Sequence, residues 1–166
     1  MNQIIRFLVL VAITSGLALA QDAELRNRME PRENLTTSGQ PTAESLRSLA
    51  DSGYTTIIDL RRPEEDRGID ERAAVEGLGM SYISLPIDGA NGVTFENADA
   101  INRILAEIDG PALVHCGSGN RAGAVLALAE SLNGADDQAA LQFGREAGLT
   151  SLEPVVAERL AEDERR

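Results

Sequence analysis

The passage from residue 112 to residue 132 restricts the fold more than any other part of the chain. Ala112-Leu113-Val114-His115 is a short apolar run, Cys116-Gly117-Ser118-Gly119-Asn120 is a glycine-containing turn, and Arg121 to Leu132 is almost uniformly small and apolar. A helix without a polar face has to be covered on most sides. A buried strand feeding such a helix belongs in a layered α/β arrangement rather than in an all-β or bundle fold.

The flanking pattern agrees. Leu35-Thr36-Thr37 reads as a short strand, and Thr42 as the N-cap of a helix that Gly53 closes, with Ala43, Leu46, Leu49 and Ala50 on one face. Tyr54 to Leu60 is rich in β-branched residues and reads as a strand. A polar loop from Arg61 to Gly68 leads to a short helix near 69–76. Met80 to Ile87 is another strand, stopped by Pro86 and Asp88-Gly89. Phe95, Ala98, Ile101, Leu105 and Ile108 mark an amphipathic helix that ends before Gly110-Pro111. Further helices are expected near 136–147 and from Thr150 onward, the last opened by a Thr150/Glu153 capping box. The expected fold is α/β: a single-domain three-layer sandwich, a mainly parallel sheet with helices on both faces.

At 166 residues the chain suffices for one domain, and with 3% aromatics its core must come from Ala, Leu, Val and Ile. The formal net charge of −12 argues against a nucleic-acid partner, which is held through basic surfaces. Every cation is Arg, which rules out a lysine Schiff base and a Walker-type phosphate lysine.

Residues 1–20 carry the tripartite pattern of a secretory signal peptide: Arg6 in the charged start, an apolar run from Phe7 to Leu19, and the cleavage pattern Ala18-Leu19-Ala20. The apolar run falls short of the roughly 20 residues of a comfortable span, so no stable membrane insertion is expected after cleavage. Export, to a periplasm, is the expectation. Residues 21–34 read as a loose polar leader, and 35–166 as the folded domain. Cys116 is the only cysteine, so no internal disulfide can form.

The turn at Cys116 lies where open α/β sheets bind ligands, beyond the carboxyl ends of the strands. Gly117, Ser118, Gly119 and Asn120 offer backbone N–H groups that can converge on an anion, and the following helix points its positive end the same way. Arg121 can add a bidentate grip on an oxyanion. The same groups stabilise a thiolate at Cys116, making it a candidate nucleophile. A small oxyanion or phosphorylated substrate fits this cradle, and no cofactor is called for. His115 is the only histidine, and no second His or Cys accompanies it to form a metal site.

These residues resemble the cysteine-dependent phosphatase superfamily, and within it the phosphatase-like domain of beta-lactamase-hydrolase-like proteins. The matching segments are Thr37-Ser38-Gly39-Gln40-Pro41-Thr42, Ile57-Ile58-Asp59-Leu60-Arg61 and His115-Cys116-Gly117-Ser118-Gly119-Asn120-Arg121. The resemblance implies that 35–166 is a phosphatase-like domain acting on phosphate monoesters. Cys116 would be its nucleophile, Arg121 its oxyanion ligand, and His115 a residue that orients the loop. Such an enzyme also needs an acid for the leaving oxygen, and Asp88, in the turn after a strand, is the candidate. Asp88-Gly89 is equally a common turn former. Arg61, leaving another strand, could support the anion or lie on the surface.

Two departures keep an alternative open. Only four residues separate Cys116 from Arg121, against five in the superfamily's phosphatases, and Ala122 stands where they carry Ser or Thr. A six-residue loop is also that of rhodanese-type sulfurtransferases, whose Cys116 equivalent carries a persulfide received from a sulfane-sulfur donor. A non-catalytic oxyanion-binding or thiol-redox module is the third reading.

Overall fold

The structure is a computed structural model that describes residues 25–163; the signal-peptide expectation for residues 1–20 lies outside the described residues. Five short strands form one sheet: β1 (Met29–Arg32), β2 (Leu35–Ser38), β3 (Thr56–Asp59), β4 (Ser81–Ser84) and β5 (Ala112–His115), in the order β1-β2-β5-β3-β4. β2, β5, β3 and β4 run parallel, and β1 is antiparallel to β2. β5 therefore sits between two parts of the chain that precede it.

Strand alternation divides the core in two. Ile57 of β3 and Leu113 of β5 face Leu46 and Leu49 of α1 (Ala43–Asp51) and Val75 of α2 (Glu71–Gly77). Their neighbours Ile58 and Val114 face the opposite layer, made of α3 (Phe95–Glu107), α4 (Asn120–Leu132), α5 (Asp137–Glu146) and α6 (Glu153–Asp163). This is the expected three-layer sandwich. Every residue of α4 from Ala122 to Ala129 is buried, as its lack of a polar face requires. Gly123 permits that packing: a Cβ there would lie 2.2 Å from the Leu149 backbone N. Thr42 caps α1 as expected, accepting from Ser45 N at 3.1 Å while the Ser45 hydroxyl accepts from Thr42 N.

Two local expectations are corrected. The stretch read as a loose leader contains β1, which hairpins onto β2 through Asn34 at φ 60°. Arg32 ties this strand to α4 through Glu130 at 2.7 Å. Its residues are mostly exposed, so backbone pairing rather than side-chain burial makes the strand, and hydrophobic pattern gives no sign of it. The last helix begins at Glu153, and Glu153 is spent on Arg145 at 2.6 Å rather than on a capping box. The turn before it is held by Asn120, whose Oδ1 accepts from Thr150 N at 2.8 Å.

Candidate active site

β5 ends at His115, and the chain turns through residues 116–119 into α4. Gly119 is the N-cap of α4 at φ 93°, in the left-handed region that glycine enters without steric cost. Its N–H donates to Cys116 Sγ, 3.1 Å away. The sulfur thus lies at the amino end of a thirteen-residue helix, where the peptide dipoles favour an anion. Cys116 itself is 1% exposed.

The carbonyls of the loop are held outward. Gly117 O accepts from Gln40 N at 3.4 Å and from Arg26 Nη2, and Ser118 O accepts from Asn27 Nδ2 at 3.0 Å. Cys116 N donates to Ser38 O at 3.4 Å. This explains the Thr37–Thr42 segment: β2 runs out beside the loop, and Gly39 lets the two backbones approach. A Cβ at Gly39 would stand 3.0 Å from Arg26 Nε and 3.2 Å from Gly117 O. The Asn120 side chain points away to residues 150–152, so its amide alone is free for the anion seat.

Arg121 reaches back across the loop. Its Nη1 donates to Ile87 O at 3.1 Å, and its two terminal nitrogens meet the two Glu65 oxygens at 2.6 and 2.7 Å. The Arg121 hydrogen bond holds Glu65 down at about 2, against the opposing effect of burial. Arg121 is correspondingly raised, by Glu65 first and also by the nearby Cys116 sulfur. Glu65 went unnoticed in the sequence because the 61–68 loop offers several acidic residues and no periodicity to rank them.

Arg61 does not lie on the surface. Its side chain is buried, with Nε 2.9 Å from Asp59 Oδ1, Nη2 3.0 Å from Asp59 Oδ2, Nη2 also on Glu71 Oε2, and Nη1 without a hydrogen-bond partner. His115 completes this cluster, its Nε2 2.7 Å from Glu71 Oε1 but without hydrogen-bond alignment. Arg67 at 3.2 Å and the Tyr82 hydroxyl at 2.7 Å also reach Asp59. Burial pushes Asp59 up, but Arg61, His115 and Tyr82 together bring it well below the usual carboxylate range. Burial and the Asp59 hydrogen bond raise Tyr82 to about 12. Ligand atoms of Asp59, Glu71 and His115 lie within 4.8 Å of one another, a spacing that fits a metal ion. The Arg61 guanidinium already bonds both carboxylates, so an added cation would face its charge directly.

Asp88 follows Ile87, whose carbonyl receives Arg121, so its backbone flanks the site. Ile87 N donates to Leu60 O at 3.0 Å, extending the sheet pairing that holds this turn. The Asp88 side chain is half exposed and paired with Arg62 at 2.7 Å. Ala122 is buried, and Ser118 stands exposed on the rim of the loop.

A parallel sheet delivering Cys116 to a loop and helix start, with an arginine laid across it, defines a phosphatase-like protein of the cysteine-dependent class. The chain belongs to the family described as DSP-PTPase phosphatase fused to NAD+ kinase, whose sequence model matches residues 11–150. It is 36% identical over 106 residues to a beta-lactamase hydrolase-like protein of Xylella fastidiosa, covering 61% of this chain and 24% of that one. The chain spans about a quarter of the length of the curated relatives it matches. The crystal structure of a Neisseria meningitidis phosphatase candidate superposes with a TM-score of 0.69 at 21% identity, covering 81% of this chain and 96% of that one. Pseudomonas aeruginosa TpbA, solved in complex with phosphotyrosine, gives a TM-score of 0.54 at 25% identity, over 86% and 98% of the two chains.

Proposed function

We propose that this protein hydrolyses phosphate monoesters through a phosphorylated Cys116. The observation that carries the reading is the Gly119 N–H on Cys116 Sγ at 3.1 Å, at the start of α4 and beside Arg121. The sulfur attacks phosphorus, the S–P bond forms as the P–O bond to the leaving group breaks, and the departing oxygen takes a proton from Asp88. Water then attacks the phosphocysteine, the S–P bond breaks, inorganic phosphate leaves, and the water proton returns to Asp88. Loop amides and Arg121 carry the charge on the equatorial oxygens, the contribution that dominates phosphoryl transfer. The phosphotyrosine bound by TpbA supports a phosphorylated substrate over a sulfane-sulfur donor.

Export is part of the proposal. It rests on the Met1–Ala20 pattern.

The experiment offers the purified protein an aryl phosphate and, separately, thiosulfate with cyanide. Phosphate release that is lost in Cys116→Ser supports the reading. Thiocyanate formation lost in the same variant, with no phosphate release, replaces it by sulfur transfer.

A further inference from the structure

We infer that Arg26 and Asn27 are positioning residues for the Cys116 loop, acting on its peptide groups rather than on the substrate. The inference builds on the proposed phosphatase reading and adds to it a segment, residues 25–27, that hydrophobic pattern leaves outside the domain.

No peptide bond among the described residues is cis. In a trans peptide the carbonyl of one residue and the N–H of the next point in opposite directions. Fixing a carbonyl outward therefore fixes the following N–H inward. Arg26 Nη2 donates to Gly117 O, which directs Ser118 N–H toward the loop's interior; Asn27 Nδ2 donates to Ser118 O at 3.0 Å, which directs Gly119 N–H inward. The second consequence is visible, because Gly119 N–H lies on Cys116 Sγ at 3.1 Å. The backbone hold on these peptides is long, with Gln40 N 3.4 Å from Gly117 O in the Gly39–Ser118 bridge, and Gly tolerates both peptide orientations, so the two side-chain donors add to it. The two side chains come from a segment 91 residues away in sequence.

That segment is itself anchored. Arg26 O accepts from Gly39 N at 2.7 Å, Leu25 is buried, and Gly39 leaves just enough room for the Arg26 side chain. Residues 25–27 thus form a brace clamped between β2 and the loop. Arg28, the next arginine, pairs instead with Glu30 at 2.7 Å and serves as an internal control.

The test compares Arg26→Ala/Asn27→Ala, Arg26→Lys and Arg28→Ala with the wild-type chain. It measures tungstate affinity by calorimetry, aryl phosphate turnover, and melting temperature. The double variant should bind tungstate at least tenfold more weakly and lose at least tenfold in kcat, with KM changed less. Arg26→Lys, which can still donate to Gly117 O, should recover most of both, and Arg28→Ala should match wild type. A double variant with wild-type tungstate affinity and kcat overturns the inference. So does a loss that only follows a drop in melting temperature and is not restored by lysine. Wild type that binds tungstate but releases no phosphate, with binding still weakened in the double variant, removes the phosphatase reading and leaves the brace standing.

Discussion

Glu65 holds Arg121 through both carboxylate oxygens, at 2.6 and 2.7 Å, from a loop that follows a different strand. The guanidinium therefore arrives at Cys116 already oriented. Its carboxylate partner is held down at about 2 by that hydrogen bond. Because the folded value lies below the ordinary 4.5, the stabilisation is fully present above 4.5 and is lost as pH falls toward about 2. Carboxyl carbon NMR should find Glu65 ionised through pH 4 and titrating near 2. Glu65→Gln should lower kcat/KM about tenfold to a hundredfold, as expected when a catalytic group is displaced by about 1 Å.

Replacing the sulfur separates binding from chemistry. Cys116→Ser should bind tungstate or phosphate while releasing no product, because the amides and Arg121 remain. Arg121→Ala should bind poorly and lose about 10²–10³ in kcat, the effect of removing one oxyanion donor. Calorimetry and steady-state kinetics on the two variants decide this.

Asp88→Asn tests the acid. Loss of a general acid costs about 10²–10⁴ in rate, and less when the leaving group is already a stable anion. The deficit should therefore be larger for alkyl phosphates than for nitrophenyl phosphate. Equal deficits for both, or none, would return Asp88 to a turn residue held by Arg62.

The cluster around Arg61 makes a prediction about stability. Removing one member of a buried ion pair strands its partners, at a cost of about 3–5 kcal/mol. Arg61→Ala should accordingly unfold at a temperature roughly 10 °C lower, since each kcal/mol is worth about 2–4 °C in a domain of this size. Breaking an exposed surface pair such as Arg103–Asp99 should change the folding free energy by less than about 1 kcal/mol.

Cleavage after Ala20 would leave Gln21 as the first residue. Intact-mass measurement of protein from its native host should find residues 1–20 missing. A soluble form retaining Met1 would defeat the export proposal.

What the sequence conveys depends on the kind of force involved. Strands β3 and β5, helix α3 and the uniformly apolar α4 are legible because burial imposes a period or abolishes one, and Cys116 through Arg121 is legible because its residue types have few other uses together. β1 is held by backbone pairing that leaves no pattern. The direction of Arg61 is equally hidden: a residue following a strand can turn outward or inward, and only the carboxylates of Asp59 and Glu71, the second of them ten residues farther on, determine that it turns in. Glu65 and Arg26 act through contacts made across the fold, which local sequence does not announce.

The central place of β5 bears on the order in which the molecule can assemble. Residues 29–38 and 56–84 supply the other four strands, yet the two groups share no ladder; each pairs with β5, at Thr37 to Val114 on one side and Ile58 to Val114 on the other. A chain emerging from its amino end can form each pair of outer strands but cannot join them until residues 112–115 arrive. Closing contacts over such sequence separations is slow compared with local structure. The strand that completes the sheet is also the one that delivers Cys116, so a fragment ending before residue 112 lacks both a continuous sheet and a nucleophile.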